Sequence, residues 1–356
     1  METAIVLLNF GEPAVPEEDV VREYLTRIFY DNASLEAAES EEEAWERSRE
    51  LAGRRLPGLM EEYNEIGGSP LQEQAGHQAD ALESTLEARG HDVEVYHAMQ
   101  FMEPLISNLP ATLADDGIDR VIAVPIYPLC GPSTTVSSID SLEASIDEAS
   151  DYDPEFTAVT GWHRAPIYNR LRAEGIQSFL DEEGLDPNDP DTTFVFSAHG
   201  TPTKYLDEGS RYDQYVEEHA AAVAGMLGIE SYEIGYQNHT NRGIEWTEPE
   251  TEDVVVGLGD SAERVIVEPM SFMHEQSETL VELDIDLAED ASEVGLDLYR
   301  VPVPHDDPRF PDLLADVAEP FLSGFAPSYY QLRQCQCRNE EGTYCFNAEL
   351  PPQAGD

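Results

Sequence analysis

The tetrapeptide Ser197-Ala198-His199-Gly200 closes an apolar run from Thr192 to Phe196. Such a run reads as a parallel strand buried on both faces, and strands of that kind deliver their last residues to the crevice where open α/β sheets bind ligands. His199 is therefore a candidate acid or base, because imidazole titrates close to neutrality. A second reactive set is the cysteines: Cys130 just past a strand end, then Cys335, Cys337 and Cys345 near the C-terminus. Four thiolates satisfy one 2Fe-2S cluster or one structural zinc ion. The C-x-C spacing of Cys335 and Cys337 departs from the C-x2-C knuckle that zinc usually takes, and unliganded thiols are the third reading. Glu278, Glu282 and Asp286 form a third set, whose i, i+4, i+8 spacing lines three carboxylates along one helical face. With 74 acidic residues in 356, a solvated face is the plain alternative for that alignment.

The elements that must position these groups are short apolar segments alternating with longer polar or amphipathic ones: Ala4 to Leu8, Val93 to Tyr96, Arg120 to Tyr127, Phe194 to Phe196, Tyr232 to Tyr236, Val265 to Val267 and Leu296 to Val301. That rhythm predicts βαβ units and an α/β fold of two Rossmann-like, doubly wound domains with parallel sheets flanking an active-site crevice. The acidic stretch around Ser150 to Pro154 is the expected linker. The expected organisation is 1–150 as the first domain, 151–310 as the second, carrying His199 and Glu278, and 311–356 as a helix and cysteine-bearing tail. Gly257-Leu258-Gly259 with Ala262 matches a G-x-G-x-x-A dinucleotide fingerprint. A strand is expected from about Val265 where the fingerprint needs a helix, so a nicotinamide or flavin site is rejected.

The formal net charge is -55, and Lys204 is the single lysine among 19 basic residues. A carboxylate-rich, lysine-poor surface is that of a halophile's protein, which stays hydrated where molar salt shortens the Debye length to about 3 Å. The same charge excludes nucleic acid as a partner and leaves at most transient contact with a membrane. No apolar run is long enough to span a bilayer and the N-terminal segment lacks a signal peptide's basic start, so a cytoplasmic location is expected. Disulfides are accordingly not expected. Nothing in the sequence specifies an oligomeric interface.

Six ordered stretches resemble the ferrochelatases, enzymes that insert ferrous iron into a porphyrin. These are Leu7-Leu8-Asn9-Phe10-Gly11-Glu12-Pro13; Gly67-Gly68-Ser69-Pro70-Leu71; Tyr127-Pro128 with Ser133-Thr134-Thr135 and Ser137-Ser138; Phe196 to Pro202 around His199; Tyr236-Gln237 with Trp246 and Pro249; and Pro269-Met270-Ser271-Phe272 with Glu278-Thr279-Leu280 and Glu282-Leu283-Asp284. The family pattern is not followed everywhere. Gln276 stands where histidine is common, with His274 two places earlier; Val281 replaces an aromatic; Gln100 and Phe101 stand where relatives often carry arginine and tyrosine.

The resemblance implies a chelatase-like fold, His199 as base and iron ligand, Glu278 as its catalytic partner, and Ser69, Tyr127 and Trp246 as porphyrin contacts. Glu282 and Asp286 would pass protons or hydrated iron. The chemistry suits these residues, since a porphyrin loses two pyrrole protons as it accepts the metal, and iron(II) takes imidazole and carboxylate together. Some relatives hold a 2Fe-2S cluster with three cysteines of a C-terminal extension and one from the body of the fold, an arrangement this chain resembles. The tail would then fold back onto the first domain. The Tyr127-Pro128 and Ser-Thr-Thr segments resemble the protoporphyrin IX enzymes, with coproporphyrin III as the alternative. Two further readings are a cobalt chelatase of the same fold and a non-catalytic porphyrin or haem carrier with redox-sensing cysteines.

Overall fold

The computed structural model describes residues 2–31, 40–149, 151–238 and 244–346. Ser150, in the expected linker, and the last residues of the expected tail, 347–356, lie outside the described residues. Two sheets are present, built from β1 (Thr3–Asn9), β2 (Glu94–Met99), β3 (Arg120–Pro125), β4 (Glu155–Thr160), β5 (Thr192–His199), β6 (Tyr232–Gln237), β7 (Arg264–Pro269), β8 (Asp297–Arg300), β9 (Arg333–Gln334) and β10 (Thr343–Cys345). The first sheet has the order β2-β1-β3-β4-β10-β9 and the second β6-β5-β7-β8. All pairings are parallel except β9 with β10.

β1 shows why a nearly continuous apolar run is needed. Ile5 and Leu7 pack on one face with Leu82 and Leu86 of the helix Leu71–Ala88. Ala4, Val6 and Leu8 pack on the other with Ile139 and Leu142 of the helix Ser137–Glu148. A strand covered on both faces has no polar side to alternate with.

One feature differs from the sequence expectation. β4 lies beyond the expected linker yet pairs with β3, so the first sheet runs past residue 150. The tail adds β10 beside β4, and the helix Phe310–Leu322 packs into the core of the first sheet. The short span of β4 and the isolated three residues of β10 carry too little periodicity to be read alone. The rejected fingerprint begins at the end of a helix, Thr251–Gly257, and runs through turns into β7, with no helix after its glycines.

Strand order sets the site. In the first sheet the chain reverses direction between β1 and β3, and in the second between β5 and β7. Crevices open beyond the carboxyl ends of strands at such reversals. One wall of the crevice comes from a pair of helices, Glu18–Asp31 and Glu41–Ile66, joined through Val21, Leu25, Ala52, Leu56 and Tyr63. The second helix stops at Gly67, and Gly68 follows at φ 101°, where an added Cβ would meet the Ala14 carbonyl at 2.2 Å. Glycine is required there because the two loops touch through their backbones.

Candidate active site

A cavity of about 680 Å³ opens between the two reversal points. Asn9 and Phe10 reach it from the end of β1, Ile126 and Tyr127 from the end of β3, His199 from β5, and Ser271 and Phe272 from the loop after β7. Tyr24, Leu25, Ile28 and Leu59 add an apolar wall, while Arg54 and Arg55 stand at its edge. His199, Glu278, Glu282, Tyr127 and Trp246 all line this one cavity.

His199 is held from both sides. Its backbone N–H donates to Ser271 Oγ at 2.7 Å, and its carbonyl accepts from Tyr212 Oη at 2.8 Å. Its Nδ1 lies 2.7 Å from the Gly200 carbonyl oxygen, which can only accept, so Nδ1 is a donor and Nε2 is the ring nitrogen left to act as base or ligand. Gly200 in turn donates its N–H to the Gln237 carbonyl at 2.7 Å, and an added Cβ would overlap the side chain of Asn238.

The loop that carries Ser271 is clamped from behind by Arg172. This buried guanidinium donates to the carbonyls of Pro269 at 2.9 Å and Phe272 at 3.1 Å, and it pairs with the equally buried Glu268. Burial raises the Glu268 carboxyl, opposed by the Arg172 charge.

Glu278 stands on the short turn Ser277–Leu280; its Oε2 accepts from Gln276 Nε2 at 2.7 Å and lies 3.2 Å from Ser277 Oγ. Glu282 begins a π-helical turn, Glu282–Asp286. Its Oε2 accepts from Gln237 Nε2 at 3.0 Å, while the same amide group donates to the Glu278 carbonyl at 2.8 Å. Burial, and then the Glu278 charge, push the Glu282 carboxyl up to about 8. The π turn corrects the picture of three carboxylates on one face. Asp286 N–H bonds the carbonyl of Val281, five residues back, and the side chain of Asp286 is exposed rather than in the cavity. The wider turn breaks the 3.6-residue phase on which that alignment depended. Asp286 still acts electrostatically on Glu282.

Ser69 is buried but is not among the cavity-lining residues; it hydrogen-bonds Glu12, a buried carboxylate behind the site. Tyr127 has a buried Oη with no hydrogen-bond partner among the described residues, and burial followed by the Glu278 charge raises its pKa. Such a hydroxyl is satisfied when a polar ligand atom enters. His274, near the position the family fills with histidine, is buried with Nε2 2.8 Å from Gln78 Oε1, and burial lowers its pKa to about 3. The sequence reading did not single out Glu12, Arg54, Arg55, Arg172 or Gln237 as site residues. Glu12 and Gln237 lie inside the quoted motifs, whereas the arginines carried no local signal.

The cysteines come together on the other side of the cavity wall. The Sγ atoms of Cys130, Cys335 and Cys337 lie within 4.8 Å of one another, and Cys345 hydrogen-bonds Cys335. Cys130 sits between Leu129 and Gly131, both of which line the cavity. The tail is pinned by Arg338, which is buried, donates to Asp140 at 2.6 Å and pairs with Glu143 on the helix Ser137–Glu148.

The comparisons with known proteins agree with this geometry. The ferrochelatase family model matches residues 2–321. The ferrochelatase of Gloeothece citriformis is 34% identical over 327 residues, covering 88% of this chain and 81% of that protein. The ferrochelatase of Nostoc punctiforme is 32% identical over 322 residues, covering 88% and 80%. Among solved structures, SirB from Bacillus subtilis, determined with Fe3+, has a TM-score of 0.50 at 11% identity, covering 91% of this chain and 99% of that one, a likeness of fold alone. With the matched motifs gathered at one cavity, the chain belongs to the ferrochelatase family and is an enzyme of haem biosynthesis that places iron in a porphyrin.

Proposed function

We propose that the chain inserts iron(II) into protoporphyrin IX, with coproporphyrin III as the alternative macrocycle. The observation that carries this reading is the meeting of His199 and Glu278 in one apolar-walled cavity whose volume suits a single small-molecule ligand. His199 Nε2 and Glu278 hold the arriving iron; as the metal passes to the macrocycle the freed Nε2 takes the two pyrrole protons one at a time and hands each to Glu278. Glu282 receives protons from Glu278 and passes them toward Asp286 and the surface. Tyr127 and Trp246 contact the macrocycle, while Ser69 acts from behind the wall through Glu12. Arg54 and Arg55 pair with the porphyrin's carboxylates at the cavity edge, a role guanidinium groups fill well.

Cys130, Cys335, Cys337 and Cys345 are the ligands of a 2Fe-2S cluster. The sulfurs of Cys130, Cys335 and Cys337 converge from two distant parts of the chain and Cys345 bonds Cys335, which fits a four-thiolate group. When bound, such a cluster supplies a redox-sensitive cross-link between tail and body, not an electron for metalation. No helix among the described residues is long and apolar enough to cross a membrane. We place the enzyme in the cytoplasm of a halophile, most naturally a haloarchaeon, on the strength of its surface charge.

Anaerobic metalation in molar KCl, followed by porphyrin absorbance with iron(II) and each macrocycle, tests the reading. Turnover that is lost in His199→Ala supports it and ranks the porphyrins. Tight porphyrin binding without turnover in the wild type would instead make the chain a carrier.

A further inference from the structure

Glu12 is 1% exposed and comes from the loop after β1, in the first sheet, yet its carboxylate ends against the turn that carries Glu278. Its Oε2 accepts the Ser277 backbone N–H at 3.0 Å, and its Oε1 accepts the Ser277 hydroxyl at 2.5 Å. Ser69 supplies a further side-chain hydrogen bond, and the Gln72 amide donates to the Glu12 carbonyl. No cation pairs with Glu12 among the described residues. A buried carboxylate without a cation is costly unless hydrogen bonds hold it, and here the donors come from both halves of the molecule.

The Ser277 hydroxyl has one proton and two carboxylate neighbours. Glu12 Oε1 is the nearer, at 2.5 Å against 3.2 Å for Glu278 Oε2. The proton therefore goes to Glu12, and Glu278 keeps Gln276 as its close donor. Burial and the Glu278 charge push the Glu12 carboxyl up to about 7, in keeping with two carboxylates facing one serine.

We propose that Glu12 is a positioning residue for iron insertion: by taking both donors of Ser277 across the interface of the two sheets, it fixes the turn on which Glu278 stands and leaves the Glu278 carboxylate directed to the cavity. The inference rests on the iron-insertion reading above, and its tests are made relative to the wild type. If the wild type does not metalate, that reading fails; if it does, the variants decide Glu12 alone.

Two variants separate positioning from bulk stability. Glu12→Ala removes both acceptors, whereas Glu12→Gln keeps an amide oxygen to accept the Ser277 N–H and places its NH2 to donate to Ser277 Oγ, so both links to the turn remain. The expected result is a kcat for iron(II) insertion at least tenfold lower in Glu12→Ala, with porphyrin KM within twofold of wild type, in line with the roughly 10²-fold cost of misplacing a reacting group by about 1 Å. Glu12→Gln should return kcat to within threefold of wild type. Hydrogen exchange of the amides of residues 277–281 should speed up in Glu12→Ala and not in Glu12→Gln. If Glu12→Ala does not fold, Ser277→Ala breaks the hydroxyl bond from the other side and should lower kcat at constant KM. A Glu12→Ala kcat within twofold of wild type, a Glu12→Gln as slow as Glu12→Ala, or an unchanged kcat in Ser277→Ala would each overturn the proposal.

Discussion

His199 Nδ1 lies 2.7 Å from the carbonyl oxygen of the residue that follows it, Gly200. A carbonyl cannot donate, so this contact selects the tautomer whose basic nitrogen is Nε2. His199→Ala should lower the metalation rate by about 10²- to 10⁴-fold, the usual worth of a positioned acid–base group. Porphyrin affinity, read by absorbance titration, should stay within a few fold, because aromatic and aliphatic walls do the holding.

Glu282→Gln should slow metalation about tenfold with porphyrin KM unchanged, as expected of a relay acting after deprotonation. It also has a stability signature. The folded chain holds the Glu282 proton up to about pH 8 against an ordinary value of 4.5, so the favourable contribution of the protonated group is complete below about pH 4.5 and is lost as pH rises through 8. The glutamine variant should be more stable than wild type at pH 8.5, by a few kcal/mol at about 1.4 kcal/mol for each pH unit by which the carboxyl is raised, and equal to it at pH 4. Thermal melts at the two pH values decide this, and a constant offset would exclude a titrating Glu282.

Arg54→Ala and Arg55→Ala should raise porphyrin KM several-fold while leaving kcat nearly unchanged. Both side chains are well exposed, so each contact is worth about 1 kcal/mol or less. The loss should shrink from dilute buffer to molar KCl, as screening predicts. A kcat effect without a KM effect would move these residues from binding to chemistry.

Protein purified without oxygen should show visible absorption and stoichiometric inorganic sulfide, and Cys337→Ser should lose both. Zinc in place of sulfide would identify the other four-thiolate centre. Because Arg338 pins the tail to Asp140 and Glu143 independently of any metal, Arg338→Ala should make the tail protease-sensitive even where the cysteines are intact.

Lowering salt should destabilise the fold, since a net charge of -55 repels itself over a longer distance as screening falls. Circular dichroism melts should rise from dilute buffer to molar KCl. Superimposable melts would remove the halophilic reading.

What could be read along the chain was local. His199 at the end of an apolar run, the loops with Tyr127 and Ser271, the glutamate turn and the four cysteines are all short-range patterns, because strand ends and tight loops impose their own residue types. The α/β class followed from the same alternation of apolar and polar stretches. Three matters were decided only by tertiary structure. The first sheet recruits β4 and β10 across the expected boundary, since pairing depends on which edge is open rather than on what the strand contains. The π turn moves Asp286 out of the cavity, because successive five-residue hydrogen bonds reset helical phase without leaving a mark on charge spacing. Glu12 meets Ser277 across 265 residues where loops of two separately wound sheets face one another, and Arg172, on the helix Pro166–Glu183, reaches the Ser271 loop across 97; neither contact leaves a local pattern.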